Sequence, residues 1–148
     1  MGDAYLAYQR AKFRTRLPKD RLFTEGHFWL LPEDGDLQKI GFTRFATRML
    51  GEMVEFEFEA QPGDGVEQGQ AVGWFEGFKA VTDLYVPLDG RFDGPNPELE
   101  AVIGDLHRKP YDRWLYAVEG TPPDGCMDAN EYAAFLDGTI DRMTGRGA

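Results

Sequence analysis

Residues that could do chemistry are sparse in this chain, so their positions carry weight. The 148 residues include one cysteine, two histidines and five lysines. A lone Cys126 excludes a disulfide framework, an intrachain dithiol redox pair and a cysteine-built zinc site. His27 and His107 stand eighty positions apart, so no short histidine motif exists and no metal is expected. Lys79 is different. It is the only lysine between residues 40 and 108, and it follows Glu76-Gly77-Phe78 between two apolar runs. Gly77 offers the backbone freedom that a tight hairpin needs, which predicts Lys79 at or beside a hairpin tip, mobile and open to solvent. By position alone such a lysine is a solvated charge that softens a turn.

The elements around it read as many short segments. Glycine and proline punctuate the chain at Pro32, Gly35, Pro62-Gly63, Gly73, Gly77, Pro87, Gly90 and Gly94-Pro95, with runs rich in Val, Phe, Trp and Tyr between them. Short strands separated by turn signals predict a mainly β fold, a sandwich or a barrel. The clearest strands span 28–31, 37–42, 53–58, 71–75, 80–86 and 114–118. Beyond Val54 the third of these alternates apolar and acidic residues, the pattern of a strand with one face in water. Two helices are expected. Residues 43–50 put Phe45, Ala46, Met49 and Leu50 on one side. Residues 128–143 open with capping candidates and repeat Tyr132, Phe135, Leu136, Ile140 and Met143 at helical intervals. Near the start, residues 3–16 space Tyr5, Leu6, Tyr8, Gln9 and Phe13 at a near-helical period, which predicts a short amphipathic arm.

Charge divides the chain. The total is −10, but residues 1–22 carry +4 and leave −14 for the remainder. This predicts a basic N-terminal extension, 1–22, ahead of one domain over 23–148 that includes the C-terminal helix. An acidic body repels phosphate backbones, which argues against nucleic acid as the main partner. No apolar run approaches the roughly 20 residues needed to cross a bilayer. The start lacks a secretory pattern, and Leu6 stands where a myristoylation signal after Met1-Gly2 wants Ser or Thr. A cytoplasmic protein without a membrane partner is the expectation.

Nine short pieces then fall in a telling order over about 105 residues: His27-Phe28-Trp29, Gly41-Phe42-Thr43, Leu50-Gly51-Glu52-Met53-Val54, Pro62-Gly63, Glu76-Gly77-Phe78-Lys79-Ala80, Thr82-Asp83, Val86-Pro87-Leu88-Asp89-Gly90, Pro110-Tyr111-Asp112-Arg113-Trp114 and Asp128-Ala129-Asn130-Glu131-Tyr132. Each is weak alone; together they resemble the glycine cleavage system H proteins. The resemblance implies a barrel-sandwich hybrid of the lipoyl- and biotinyl-carrier type, with a short internal helix, a C-terminal helix and here an N-terminal extension. It implies lipoate as a covalent amide on Lys79, with Glu76, Gly77, Ala80 and Asp83 as residues read by the attaching enzyme, a lipoate ligase or lipoyl transferase. For Glu76 and Asp83, solvated turn carboxylates are the equal alternative. A biotin hairpin is disfavoured, because that family wants methionine on both sides of the lysine, where Phe78 and Ala80 stand. The cofactor does the reaction chemistry and the protein presents it, so no catalytic residue is assigned. The partners implied are enzymes of a multienzyme pathway, dihydrolipoamide dehydrogenase among them.

Departures from the family pattern bear on the cargo. Phe28 replaces the glutamate of the first motif, Arg44 replaces the acid after the Gly-x-Thr step, and Gly77 replaces the serine before the lysine. The resemblance assigns His27, Phe28 and Arg44 to the cleft of the arm, with a hydrogen-bonded framework role as the alternative for His27. Loss of carboxylates and gain of a guanidinium favour an anionic or sulfur-centred cargo, as in the H-like lipoate-binding proteins of heterodisulfide-reductase-like sulfur oxidation. The alternatives are a glycine cleavage carrier of the aminomethyl group, a lipoate relay protein, or an unmodified H-like fold used only for interaction.

Overall fold

The strand expected at 28–31 forms as β4 (Phe28–Pro32), and its residues are apolar on both faces. Phe28 and Leu30 point into one core, Trp29 and Leu31 into another. A strand of this kind has to lie between two covering layers, and that requirement organises the molecule. The computed structural model describes residues 3–145; Met1-Gly2 and the last three residues lie outside them.

Two sheets enclose the first core. A six-stranded antiparallel sheet runs in the order β3 (Leu22–Phe23), β4, β5 (Leu37–Phe42), β11 (Tyr116–Glu119), β10 (Gly90–Pro95) and β7 (Gly65–Val66). A three-stranded sheet runs β6 (Met53–Phe58), β8 (Ala71–Gly77), β9 (Val81–Tyr85). Their inner faces meet through Ile40, Phe42, Val72, Phe75, Leu84, Phe92 and Tyr116, with the Phe42 and Phe75 rings edge to face at 5.2 Å. This is the barrel-sandwich arrangement. The helix α1 (Arg44–Leu50) crosses between the sheets, capped by the Thr43 side chain, which accepts from the Ala46 N–H. A short α2 (Leu99–Val102) and a 3₁₀ turn, Ile103–Asp105, precede β11.

The second core lies on the outer face of β3 and β4. The C-terminal helix α3 (Ala129–Thr144) buries Tyr132, Leu136 and Ile140 there, opened by a full capping box between Asp128 and Glu131. No helix among the described residues is long and apolar enough to cross a membrane.

Residues 3–16 do not form the expected helical arm. They build a hairpin, β1 (Tyr5–Arg10) and β2 (Phe13–Pro18), turning at Ala11 with φ of 51°. The alternation Leu6-Tyr8-Arg10 and Phe13-Thr15-Leu17 is a period of two, and Tyr8, Phe13 and Leu17 are buried against α3 and α1. The Tyr8 hydroxyl donates to Asp137 Oδ1 at 2.8 Å, and Arg10 Nε to Asp141 at 3.0 Å. A polar partner across the gap thus completes a strand face that helical spacing only mimicked. The basic extension 1–22 is therefore not a separate arm: the division at residue 22 marks a change in charge and cuts β3, not the packing. The unexpected strand β10 buries one large side chain, Phe92, between two turn-type glycines, and its pairing with β7 and β11 comes from the sheet.

Leu17 is fully buried, so Leu17→Ala is expected to destabilise the whole fold by about 2–4 kcal/mol in urea unfolding, in one transition. A change near zero would mean the hairpin is dispensable.

Candidate functional site

Two-residue tip, fixed base, exposed side chain: that is the local design at Lys79. The β8–β9 pairing ends at Glu76 opposite Val81, and the Gly77 N–H donates to the Ala80 carbonyl at 2.9 Å, which leaves Phe78 and Lys79 at the apex. The tip also rests on the end of α1. The Lys79 N–H donates to the Leu50 carbonyl at 2.9 Å and the Phe78 N–H to the Glu52 carbonyl at 3.0 Å. Helix-terminal carbonyls lack intrahelical partners, so the tip satisfies one that would otherwise need water. Gly77 is needed here for space, not for a left-handed conformation: a β-carbon on it would stand 2.2 Å from the Leu50 carbonyl oxygen. Gly51, at φ 80°, faces the lysine itself, and its missing side chain leaves room for the Lys79 stem. Lys79 is exposed and its Nζ donates to the Arg48 carbonyl at 3.4 Å. Ala80 is exposed beside it, Glu76 is half-buried on β8 opposite Glu55, and Phe78 is 75% exposed.

Beside this tip a cleft of about 570 Å³ opens between the edge strand β9 and four other segments. Thr82, Asp83 and Tyr85 line one wall; Phe28, Phe45, Met49 and the 24–27 turn line the other. Asp83 accepts a hydrogen bond from the Tyr85 hydroxyl at 3.1 Å. The two carboxylates at the cleft are Asp83 and Glu25, and no lysine or arginine among the described residues lines it. Phe28 is buried there, its ring stacked on Phe42 at 5.6 Å.

His27 sits at the cleft wall in a left-handed conformation, φ 67°, which lets its N–H donate to the Thr24 carbonyl at 3.0 Å. The fully buried Tyr132 hydroxyl donates to Thr43 Oγ1 at 3.0 Å, so its oxygen accepts the His27 Nδ1 proton at 2.7 Å. This chain ties α3, the 24–27 turn and the cap of α1 together. Burial without a counter-charge lowers the His27 pKa to about 4. His27 is thus both a wall of the cleft and a framework residue.

Arg44 lies elsewhere. It borders a different pocket with Thr15, Arg16 and Tyr111, and its guanidinium donates to Thr47 Oγ1 at 3.1 Å. The structure therefore brings Asp83, His27 and Phe28 together at the cleft, where the lining residue Leu50 takes the Lys79 N–H, and separates Arg44 from them. Alternation explains the separation, since Arg44 follows the buried cap Thr43 and leaves α1 on the side away from β9. Glu25, Met49, Tyr85 and Cys126 also line the cleft, and no local sequence signal marked them for it. Cys126 arrives through backbone pairing of Phe23 with Met127, at 2.7 and 2.8 Å.

A rigid β-sandwich that holds one lysine by its backbone at a hairpin tip, with its side chain exposed beside a cleft, belongs to the class of carrier domains that bear a prosthetic arm. Residues 21–138 match the family described as Glycine cleavage H-protein. The chain is 32% identical over 121 residues to the glycine cleavage system H protein of Methylobacillus flagellatus, covering 81% of this chain and 98% of that one. Against the same protein of Corynebacterium jeikeium it is 36% identical over 124 residues, covering 81% and 97%. The crystal structure of a glycine cleavage system H protein from Mycobacterium marinum superposes with a TM-score of 0.71 at 28% identity, over 81% of this chain and 98% of that one. The chain belongs to the glycine cleavage H-protein family, whose members carry lipoate covalently on a lysine and act as carriers.

Gly77→Ala is expected to lift the tip from α1, costing about 1–3 kcal/mol in urea unfolding and lowering the yield of lipoylation read by intact mass. Stability should also fall in acid through His27. The unfolded chain binds a proton below its ordinary pKa near 6.5, whereas the folded chain refuses it until about 4. The contribution is therefore complete above the unfolded value and lost as pH drops through this window, by about 2 kcal/mol between about pH 6.5 and about pH 5. The difference in acid sensitivity between the wild type and His27→Gln measures it.

Proposed function

We propose that Lys79 is the lipoyl-bearing residue and that the chain is a non-catalytic carrier, itself the substrate of partner enzymes. The observation that carries this reading is the tip geometry: the backbone of Lys79 is hydrogen-bonded to α1 while its ε-amine stands in solvent beside a cleft. A rigid base and a free amine fit an amide-linked arm, and Gly51 keeps the stem unobstructed. Lipoate would supply a dithiolane that accepts a group on sulfur or a pair of electrons.

This chain's own residues define what the cleft accepts. Asp83 and Glu25 supply negative charge, neutral His27 adds none, and no cation lines the cleft among the described residues. Met49, Phe45 and Phe28 give an apolar wall that limits water. Such a cleft favours a cationic amine, which supports a cargo of the aminomethyl type. A sulfur-oxidation role drew on two departures from the family pattern. Phe28 still supports it, because the phenyl ring occupies the cleft where the motif has a carboxylate. Arg44 does not support it, because it borders another pocket. The balance of charge therefore favours glycine cleavage.

Attachment would need a lipoate ligase or lipoyl transferase, and reoxidation a dihydrolipoamide dehydrogenase, in the cytoplasm. The solvent face of β6, β8 and β9 carries Glu55, Glu57, Glu76 and Asp83 in cross-strand rows, a surface that suits enzymes with basic rims.

Protein from its native host is expected to carry one lipoyl group by intact mass, and Lys79→Arg none; unmodified Lys79 there would sink the carrier reading. The lipoylated protein is expected to support glycine-dependent reduction with the standard partner enzymes. Asp83→Asn should weaken that activity about tenfold through loss of one charged partner. Modified protein inactive with those partners would return the sulfur reading to first choice.

A further inference from the structure

The second basic feature of the molecule lies away from the cleft, where the β1–β2 hairpin meets the loop after the 3₁₀ turn. A pocket of about 440 Å³ opens there, and Arg16, Arg44, Arg108 and Lys109 line it with a single carboxylate, Asp112. In a chain of net charge −10, four cations against one acid is a marked local inversion. None of the four has a carboxylate within ion-pair distance among the described residues, whereas Arg10, Arg21, Lys39, Arg91 and Arg113 each do.

The cations are also held in position. Arg44 is half-buried, its guanidinium donates to Thr47 Oγ1 at 3.1 Å, and its backbone N–H donates to the Tyr111 hydroxyl at 3.1 Å. Arg16 lies 4.6 Å from the centre of the Tyr5 ring, which holds it at the rim by cation–π attraction. Tyr111 and Thr15 of the hairpin line the same pocket, so the tyrosine that accepts the Arg44 N–H stands where hairpin and body meet. Burial first and then the nearby Arg48 oppose the Arg44 charge, and only Tyr111 acts in the other direction. A half-buried guanidinium in that state is costly until an anion meets it.

We propose that this pocket binds a phosphate-bearing small molecule. Three guanidinium forks and an ammonium match the several acceptor oxygens and multiple charge of a phosphate ester, and a single carboxylate ligand would leave most of that charge unmet. The concave, tyrosine-walled shape fits a small ligand. Tyr5, Thr15 and Arg16 all precede the 21–138 family match, so the pocket exists only because the extension folds onto the body. That gives the extension a role independent of what Lys79 carries.

The test is titration of the full, unmodified chain with pyrophosphate at constant ionic strength, read by calorimetry and by NMR shifts. One saturable site is expected, weakened about tenfold by Arg16→Ala and by Arg108→Ala, each an exposed position whose loss spares the fold. Arg14→Ala, on the same hairpin but outside the pocket, should bind as the wild type does. Absence of a saturable site overturns the proposal. So does an equal loss in Arg14→Ala, which would mean a diffuse field, or full displacement by chloride at the same ionic strength. Binding to phosphatidylglycerol vesicles that pyrophosphate does not compete would assign the cations to a lipid surface and overturn it as well. Lipoylation of Lys79 is read separately by mass and should be unchanged in every one of these variants.

Discussion

The rest of the site depends on one contact: the β8–β9 tip seated on the last carbonyl of α1. An exposed hairpin tip normally frays, because its backbone groups find only water. Here the Lys79 and Phe78 N–H groups are taken by Leu50 and Glu52, across a gap that only a glycine at 77 allows. The three-stranded sheet is therefore fixed to the end of α1 at the tip, as well as to the other sheet through their shared core. Anything that moves α1 moves the base of the lysine.

That places unusual weight on what holds α1. Its N-terminal cap, Thr43, also accepts from Tyr132 of α3, and Tyr132 accepts in turn from His27. On its outer side Phe45 packs against Phe13 of the extension hairpin, edge to face at 5.5 Å. The second core thus braces the helix on which the lysine rests. The extension contributes to position as well as to charge. Its Arg16 joins Arg44, Arg108 and Lys109 at the basic pocket, whereas the cleft is lined by Glu25 and Asp83 and by no lysine or arginine among the described residues. Two opposite fields on one small body separate two kinds of contact.

Much of this was legible in the chain. Alternation of apolar and acidic residues marked β6 to the residue, and the capping pattern at Asp128-Ala129-Asn130-Glu131 marked α3 to within a residue or two, because both signals are local and periodic. The N-terminal hairpin was not legible, because aromatic spacing over ten residues fits either period; what decided it was a surface, on α3, more than a hundred residues away. The reading of Arg44 failed for a related reason. A motif assigns a residue to a segment, and the rotation of a two-turn helix assigns it to a face.

Sequence by itself determined the lysine, its hairpin, the order of the motifs and hence the family, since these rest on residue type and spacing along one dimension. Tertiary structure alone decided which side chains share a cavity. Glu25, Asp83, Cys126 and Met49 converge from four segments, and Arg44 leaves them, because convergence depends on how two sheets and a helix are stacked. Spacing is a property of the chain; proximity between distant residues is a property of packing.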